Sequence, residues 1–220
     1  MSCGKRPSGM VGWEDFLVYV KGVLPKVPDE MAGHFLRTTA IELAQDTLQL
    51  EASQTWDVQK DVHDYAVALP DAYRPAMIKR VWLDGVLLQA LDVLPEVSTD
   101  ERGHPCYRGC VYGYYYDAPD TVYVFPGPCE DKAGALVADF AVIPSRNTCF
   151  IDQRFFDEYA QAIADGALAH LYKIKSSDWF DLTLAGVHFK AFVAAKHRAK
   201  ARRIRHNSTA PLVMKTRRFI

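Results

Sequence analysis

His104, Cys106 and Cys110 stand close together, and imidazole and thiolate are ligands that zinc favours. The C-x3-C spacing suits one half of a zinc site. No second ligand pair follows, since Cys129 and Cys149 stand alone. These cysteines read as ordinary strand residues, and their odd number argues against a disulfide framework and for a reducing compartment. Asp178 and Asp181 carry the carboxylates that acid–base chemistry needs. Their spacing at a helix start instead suits capping and the helix dipole. Tyr112, Tyr114, Tyr115 and Tyr116 offer faces on which bases stack, but tyrosine in a half-buried strand is the commoner use. His170 and His188 lie among aromatics in helical stretches, where packing is the default role. No Walker loop, G-x-S-x-G elbow, H-E-x-x-H pair or G-x-G-x-x-G turn occurs. No catalytic residue, metal ligand or cofactor is therefore assigned.

Charge is the stronger signal. From Lys190 onward there are ten Lys/Arg and no Asp or Glu, whereas residues 1–189 hold 16 basic and 27 acidic residues. A near-neutral total hides this dipole. Such an asymmetry points to contact with something negative, either nucleic acid or an acidic protein face. The plainer alternative is a solvated basic helix with a frayed end. The bases Lys196, Arg198, Lys200, Arg202, Arg203 and Arg205 fall on the last turns of a long helix. Asn207, Ser208 and Thr209 favour caps and turns over helix interiors and should end it. Pro211 keeps Ala210 out of helical geometry. Leu212, Val213, Met214, Phe219 and Ile220 then form an apolar set, with Lys215, Arg217 and Arg218 between them.

The elements that carry these residues fall into five segments. Residues 1–11, polar and Gly-rich with no apolar leader, are expected to be a loose lead-in. Residues 12–52 form the first part of a helical domain. Trp13, Phe16, Leu17, Val20 and Leu24 keep helical spacing. After Pro28, which suits a first helical turn, a second stripe runs from Ala32 through Leu43 and Thr47 to Leu50. Residues 53–149 form an inserted β-domain. Tyr65, Val67 and Leu69 alternate, Asp84-Gly85 between apolar runs marks a hairpin, and TVYVF and ALVADFAVIP supply further strands. Residues 150–205 return to helix. Phe155, Tyr159, Ile163, Ala167 and Leu171 share one face, and Ser176-Ser177-Asp178 should cap the final helix from Trp179. Its apolar face fades after Val193, so its last turns are expected to meet something beyond the domain. Residues 206–220 are read as an extended arm. The fold class is α+β: a discontinuous antiparallel helical bundle, an inserted small antiparallel β-domain and a C-terminal arm. No run of apolar residues is long enough to span a membrane.

The order of these motifs resembles a known family. VLPKVPDEMAGHFLRTTAIELAQDT, with its "LP-x-VP" break and "R-x-x-A-I-E" core, is followed by YAVALPDAYRPAMIKRVWLDGVLL with a "V-x-x-DG" hairpin. Later comes IADGALAHLYKIKSSDWFDLTLAGVHFKAF, with "L-x-x-LY", "W-x-D" and "LA-x-x-x-x-F". Together they resemble the head-to-tail adaptor (connector) proteins of tailed bacteriophages, including the tail tubular protein A of short-tailed phages. The likeness covers most of residues 13–205, and the stretch 103–148 matches no motif of the family. It implies a non-enzymatic virion protein made in the host cytoplasm, located at the head–tail junction. Copies would form a ring, a dodecamer, beneath the portal protein. The β-domains would face the next tail component, a nozzle or tail tube protein, and genomic DNA would pass through the channel. The arm, Asn207 and Pro211 to Ile220, would clasp the portal. Many arms on one ring engage together, so weak single contacts suffice. The rival reading is a nucleic-acid-binding protein with the basic helix as a phosphate clamp. Its binding would weaken steeply with salt.

Overall fold

The computed structural model describes residues 5–93 and 111–204. The chain divides into two compact units, residues 1–49 with 149–220, and residues 50–148. The fold is α+β.

The first unit holds β1 (Met10–Gly12), α1 (Trp13–Lys21), α2 (Asp29–Thr47), β10 (Phe150–Asp152), α3 (Gln153–Leu171) and α4 (Leu182–Ile204). Met10–Gly12 extends into the expected lead-in, yet it pairs antiparallel with Phe150–Asp152. The amphipathic spacing of α1 buries Phe16 and Val20, and Phe16 meets Phe156 of α3 edge-on at 4.7 Å. Pro28 precedes α2, whose Leu36, Ala40 and Leu43 are fully buried. The second helix stops at Thr47, short of the expected Leu50. Leu48 adopts the left-handed conformation (φ 52°) and turns the chain out of the helix. Asp152 caps α3 by accepting hydrogen bonds from the backbone N–H groups of Arg154 and Phe155. Helix α3 touches α1, α2 and α4, so its buried face is wide: Phe155, Ile163, Leu168 and Leu171 among others. Gly166 makes that close packing possible, because a Cβ there would lie 2.2 Å from Thr39 Cγ2 and 3.2 Å from the Phe192 ring.

The second unit holds two four-stranded sheets. One has the order β2 (Glu51–Val58), β9 (Lys132–Pro144), β4 (Tyr73–Leu83), β5 (Val86–Leu87). The other has β3 (Asp64–Ala66), β8 (Thr121–Phe125), β7 (Gly113–Asp117), β6 (Gln89–Ala90). Pairing is antiparallel except between β6 and β7, which run parallel. The Asp84-Gly85 hairpin forms as its sequence demands. Both residues have positive φ (51° and 76°), and Leu83 pairs with Val86 across the turn. Strand β2 begins at Glu51, inside the stretch expected to be helical, and the Tyr65 strand is shorter than its alternation implied. Tyr114 is buried, Tyr115 meets Tyr123, Tyr116 packs against Phe140, and Tyr112 is exposed. Cys149 is disulfide-bonded, so the chain does not hold all its cysteines as thiols. His104, Cys106 and Cys110 lie outside the described residues.

Candidate docking surface on the final helix

Helix α4 starts later than Ser176-Ser177-Asp178 suggests. Its cap is Asp181, whose Oδ1 accepts from the N–H groups of Thr183 (2.8 Å) and Leu184 (3.0 Å). The preceding turn is tied to the end of α3. Trp179 Nε1 donates to the Leu171 carbonyl, and Asp181 N donates to the Tyr172 carbonyl at 3.0 Å. These bonds commit residues 173–181 to a connector and leave Asp181 at the first orphan N–H groups of α4.

Three residues at seven-residue spacing, Ala185, Phe192 and Ala199, form the buried stripe of α4. The core face therefore does not end at Val193 but continues for nearly two more turns through alanine. The first two turns leave Leu182, Val187 and Phe189 exposed on the surface of the unit. Polar side-chain contacts fix orientation. His188 Nδ1 lies 2.9 Å from Asp165 Oδ1, and Arg202 lies 3.6 Å from Glu158, in opposite order along the two helices. Helix α3 is therefore antiparallel to α4. Glu42 and Asp46 meet Lys196 and Lys200 in the same order, so α2 and α4 run in one sense.

The basic residues of α4 fall into two groups. Lys196 is turned inward. Its Nζ lies 2.7 Å from Glu42 Oε1 and 2.5 Å from Asp46 Oδ2, and over the Phe192 ring at 4.9 Å. Hydrogen bonding from Lys196, opposed by burial and aided by the Lys196 and Lys200 charges, holds the Asp46 carboxyl below its usual range. Gln49 Nε2 donates to the Ala199 carbonyl and fastens the same junction. Lys200 reaches Asp46 at 3.9 Å and remains part-exposed. Arg198 is exposed and Arg203 half-buried, and neither is held by an ion pair among the described residues. Arg205 and all of Asn207 to Ile220 lie outside the described residues.

A groove of about 300 Å³ runs between α3 and α4. Its floor is small: Ala162 from α3, and Ala191, Ala194, Ala195 and Ala199 from α4. Glu158 and Asp165 line it from α3, and Arg198 and Arg202 from α4. Tyr159 also lines it, is 6% exposed, and its hydroxyl lies beside the Glu158 and Arg202 side chains. Burial, then the nearby Glu158 charge, pushes this phenol up to about 12, against the opposing influence of Arg202. The hydroxyl is therefore a neutral donor at physiological pH. Neither the alanine floor nor the lone phenol carried a chemical signal in the sequence. The groove arises because residues from two distant segments, 158–165 and 191–202, are brought side by side.

Other candidates resolve as packing. His170 stacks on Phe35 with ring centroids 5.7 Å apart, and His188 stacks on Tyr172 at 5.6 Å. No helix among the described residues is long and apolar enough to cross a membrane. No group of His, Cys, Asp and Glu among the described residues is arranged to hold a metal ion. A family model described as SU10 adaptor protein matches residues 15–215. No curated protein matches the chain.

Proposed function

The chain belongs to the SU10 adaptor protein family, phage structural adaptors of the virion, and on that premise we propose that it joins the portal vertex of the head to the tail. In this reading copies of the chain close into a ring, a dodecamer, beneath the portal protein and leave a channel through which genomic DNA leaves. The observation that carries the reading is the extent of the match. It spans both helical segments and the β-strands between them, and continues to residue 215, well into the proposed arm.

The surface of α4 supports a division of labour. The inward Lys196 holds α4 onto α2, while Arg198 and Arg203, which no ion pair holds among the described residues, are left to meet acidic residues of a partner. Arg205 and the arm from Asn207 to Ile220 follow these turns in the sequence. Apolar contacts of Leu212, Val213, Met214, Phe219 and Ile220 would supply most of the affinity, and the bases would supply orientation and on-rate. Val86 and Leu87 are exposed on the edge strand of their sheet, which suits contact between the β-domain and the next tail component. A phosphate clamp has fewer bases to draw on, since Lys196 and Arg202 already face Glu42, Asp46 and Glu158.

Deletion of residues 207–220 tests the reading. The truncated protein should stay folded and soluble by circular dichroism and fail to join DNA-filled heads by electron microscopy. Truncated protein that assembles onto portals with wild-type affinity overturns the arm. In that case steeply salt-dependent DNA binding by α4 would replace it.

A further inference from the structure

We propose that the outer face of α1 in one copy seats in the α3–α4 groove of a second copy, antiparallel to α4, as the contact between neighbours in the ring. This contact rests on the ring reading above and gives it two defined surfaces. The alanine floor of the groove lets a helix approach closely, and exposed Leu184 and Val187 extend the same face of α4 beyond Ala191. Helix α1 supplies a ridge. Val18 is 68% exposed, and Glu14, four residues before it, and Lys21, three residues after it, lie on the same side. Arg6 lies 3.9 Å from Glu14 and Asp29 pairs with Lys21, but all of this is at the surface, where such pairs are weak and their charges can be shared. Phe16 and Tyr19 hold the other side of α1 against Phe156 of α3. The ridge therefore points away from its own groove, and an α1 seated there belongs to a second copy.

Charge decides the direction. Glu158 faces Arg202 and Asp165 faces His188, which leaves Arg198 as the groove charge that no ion pair holds among the described residues. With Val18 over Ala194, an antiparallel α1 brings Glu14 to the level of Arg198. It brings Lys21 to the level of Ala191, one turn from His188 and its partner Asp165. Glu14 and Lys21 are seven residues apart, as are Ala191 and Arg198, so both pairs span about 10 Å of helix. A parallel α1 would set Glu14 near Asp165 and Lys21 near Arg198, like charge on like. The two surfaces differ from each other, so copies joined this way add head to tail, and a series that closes is a ring. A nine-residue helix is about 13 Å long and covers well under the roughly 1,200 Å² of a stable pair. One such contact is weak, and closure of the ring makes the set of them strong.

Sedimentation equilibrium of the full chain, from about 10 μM to about 1 mM, tests the contact. The weight-average mass of the wild type should rise with concentration above that of the monomer. Val18→Asp spoils the ridge. Ala194→Glu spoils the floor and sets a carboxylate four residues before Arg198. Both positions are exposed, so the core is untouched. Each variant alone should lose about tenfold or more in self-affinity and sediment as a monomer. An equimolar mixture keeps one intact groove and one intact ridge, so it should associate again and go no further than a dimer. Arg198→Glu takes the place of Ala194→Glu if that chain does not fold by circular dichroism. A wild type that stays monomeric at 1 mM overturns the contact. So does association that either variant leaves unchanged, or a mixture that stays monomeric. Val18→Asp chains that form rings on portals by electron microscopy also overturn it and leave the ring reading standing. Wild-type chains that form no ring on portals overturn the ring reading itself, whatever the sedimentation result.

Discussion

Replacing Lys196 with methionine should destabilise the helical unit by about 1–2 kcal/mol at pH 7, and the loss should be pH-dependent. Methionine keeps the length of the stem and its contact with the Phe192 ring, where its sulfur offsets the lost cation–π contact. What disappears is the ammonium shared by Glu42 and Asp46. Both carboxylates are about two-fifths exposed, so water screens the attraction, and each pair contributes about 0.2–1 kcal/mol. Without Lys196 the two acids, four apart on α2, also repel each other by about 0.2–0.5 kcal/mol. For a chain of this size the change corresponds to a fall in Tm of about 2–8 °C. The sign with pH follows from Asp46, whose folded-state pKa is lowered. Its contribution is complete above the unfolded value, about 3.9, and is lost as the pH falls through the folded value. Thermal melts followed by far-UV circular dichroism should therefore show a gap between wild type and Lys196→Met that is constant from pH 7 to 5 and narrows below about pH 4. Equal Tm values at pH 7, or a gap that does not narrow on acidification, would refute the inward assignment of Lys196. Head joining at permissive temperature should survive this substitution, since the ammonium faces its own domain.

Two further substitutions probe how α4 is placed. Gly166→Ala gains about 0.8–1 kcal/mol in helix propensity, yet it should be destabilising by urea titration, because pushing Thr39 and Phe192 aside costs about 1–3 kcal/mol. Asp181→Ala removes the cap of α4 and should cost about 0.5–2 kcal/mol, with Asp181→Asn recovering most of it, whereas Ser177→Ala should leave the first turn of α4 unaffected.

What was legible in the sequence was local chemistry. Asp84-Gly85 specifies its turn through the backbone preferences of two residues, and the stripe of α1 and α2 follows from apolar side chains at helical spacing. The rest depended on contacts between distant segments. Strand β2 was missed because EASQTWDV is polar and lies at a sheet edge, where only one neighbour, β9, holds it. Ser176-Ser177-Asp178 looks like a cap, but the Trp179 and Asp181 bonds to the end of α3 move the helix start onward. The continued core of α4 rests on Ala199, a residue too small to mark a stripe. Lys196 meets Glu42 from 154 positions away, and nothing in the basic run distinguishes it from the outward-facing Arg198. The groove was illegible for the same reason, as its alanines and Tyr159 acquire meaning only when α3 and α4 are laid together.

The pairing of Glu51 with Ala141 at the mouth of the inserted unit bears on the order in which the molecule forms. Residues 50–148 separate α2 from β10, so the first two helices must wait for the ribosome to deliver the strand and helices that complete them. While the insert is unfolded, that wait ends in a closure across about 100 residues. Once β2 and β9 have paired, the two ends of the insert already lie together, and the closure resembles one across about ten. The difference is (3/2)RT ln 10, about 2 kcal/mol of chain entropy. If the β-unit folds first, it lowers by that amount the entropic barrier to assembling the helices on either side of it.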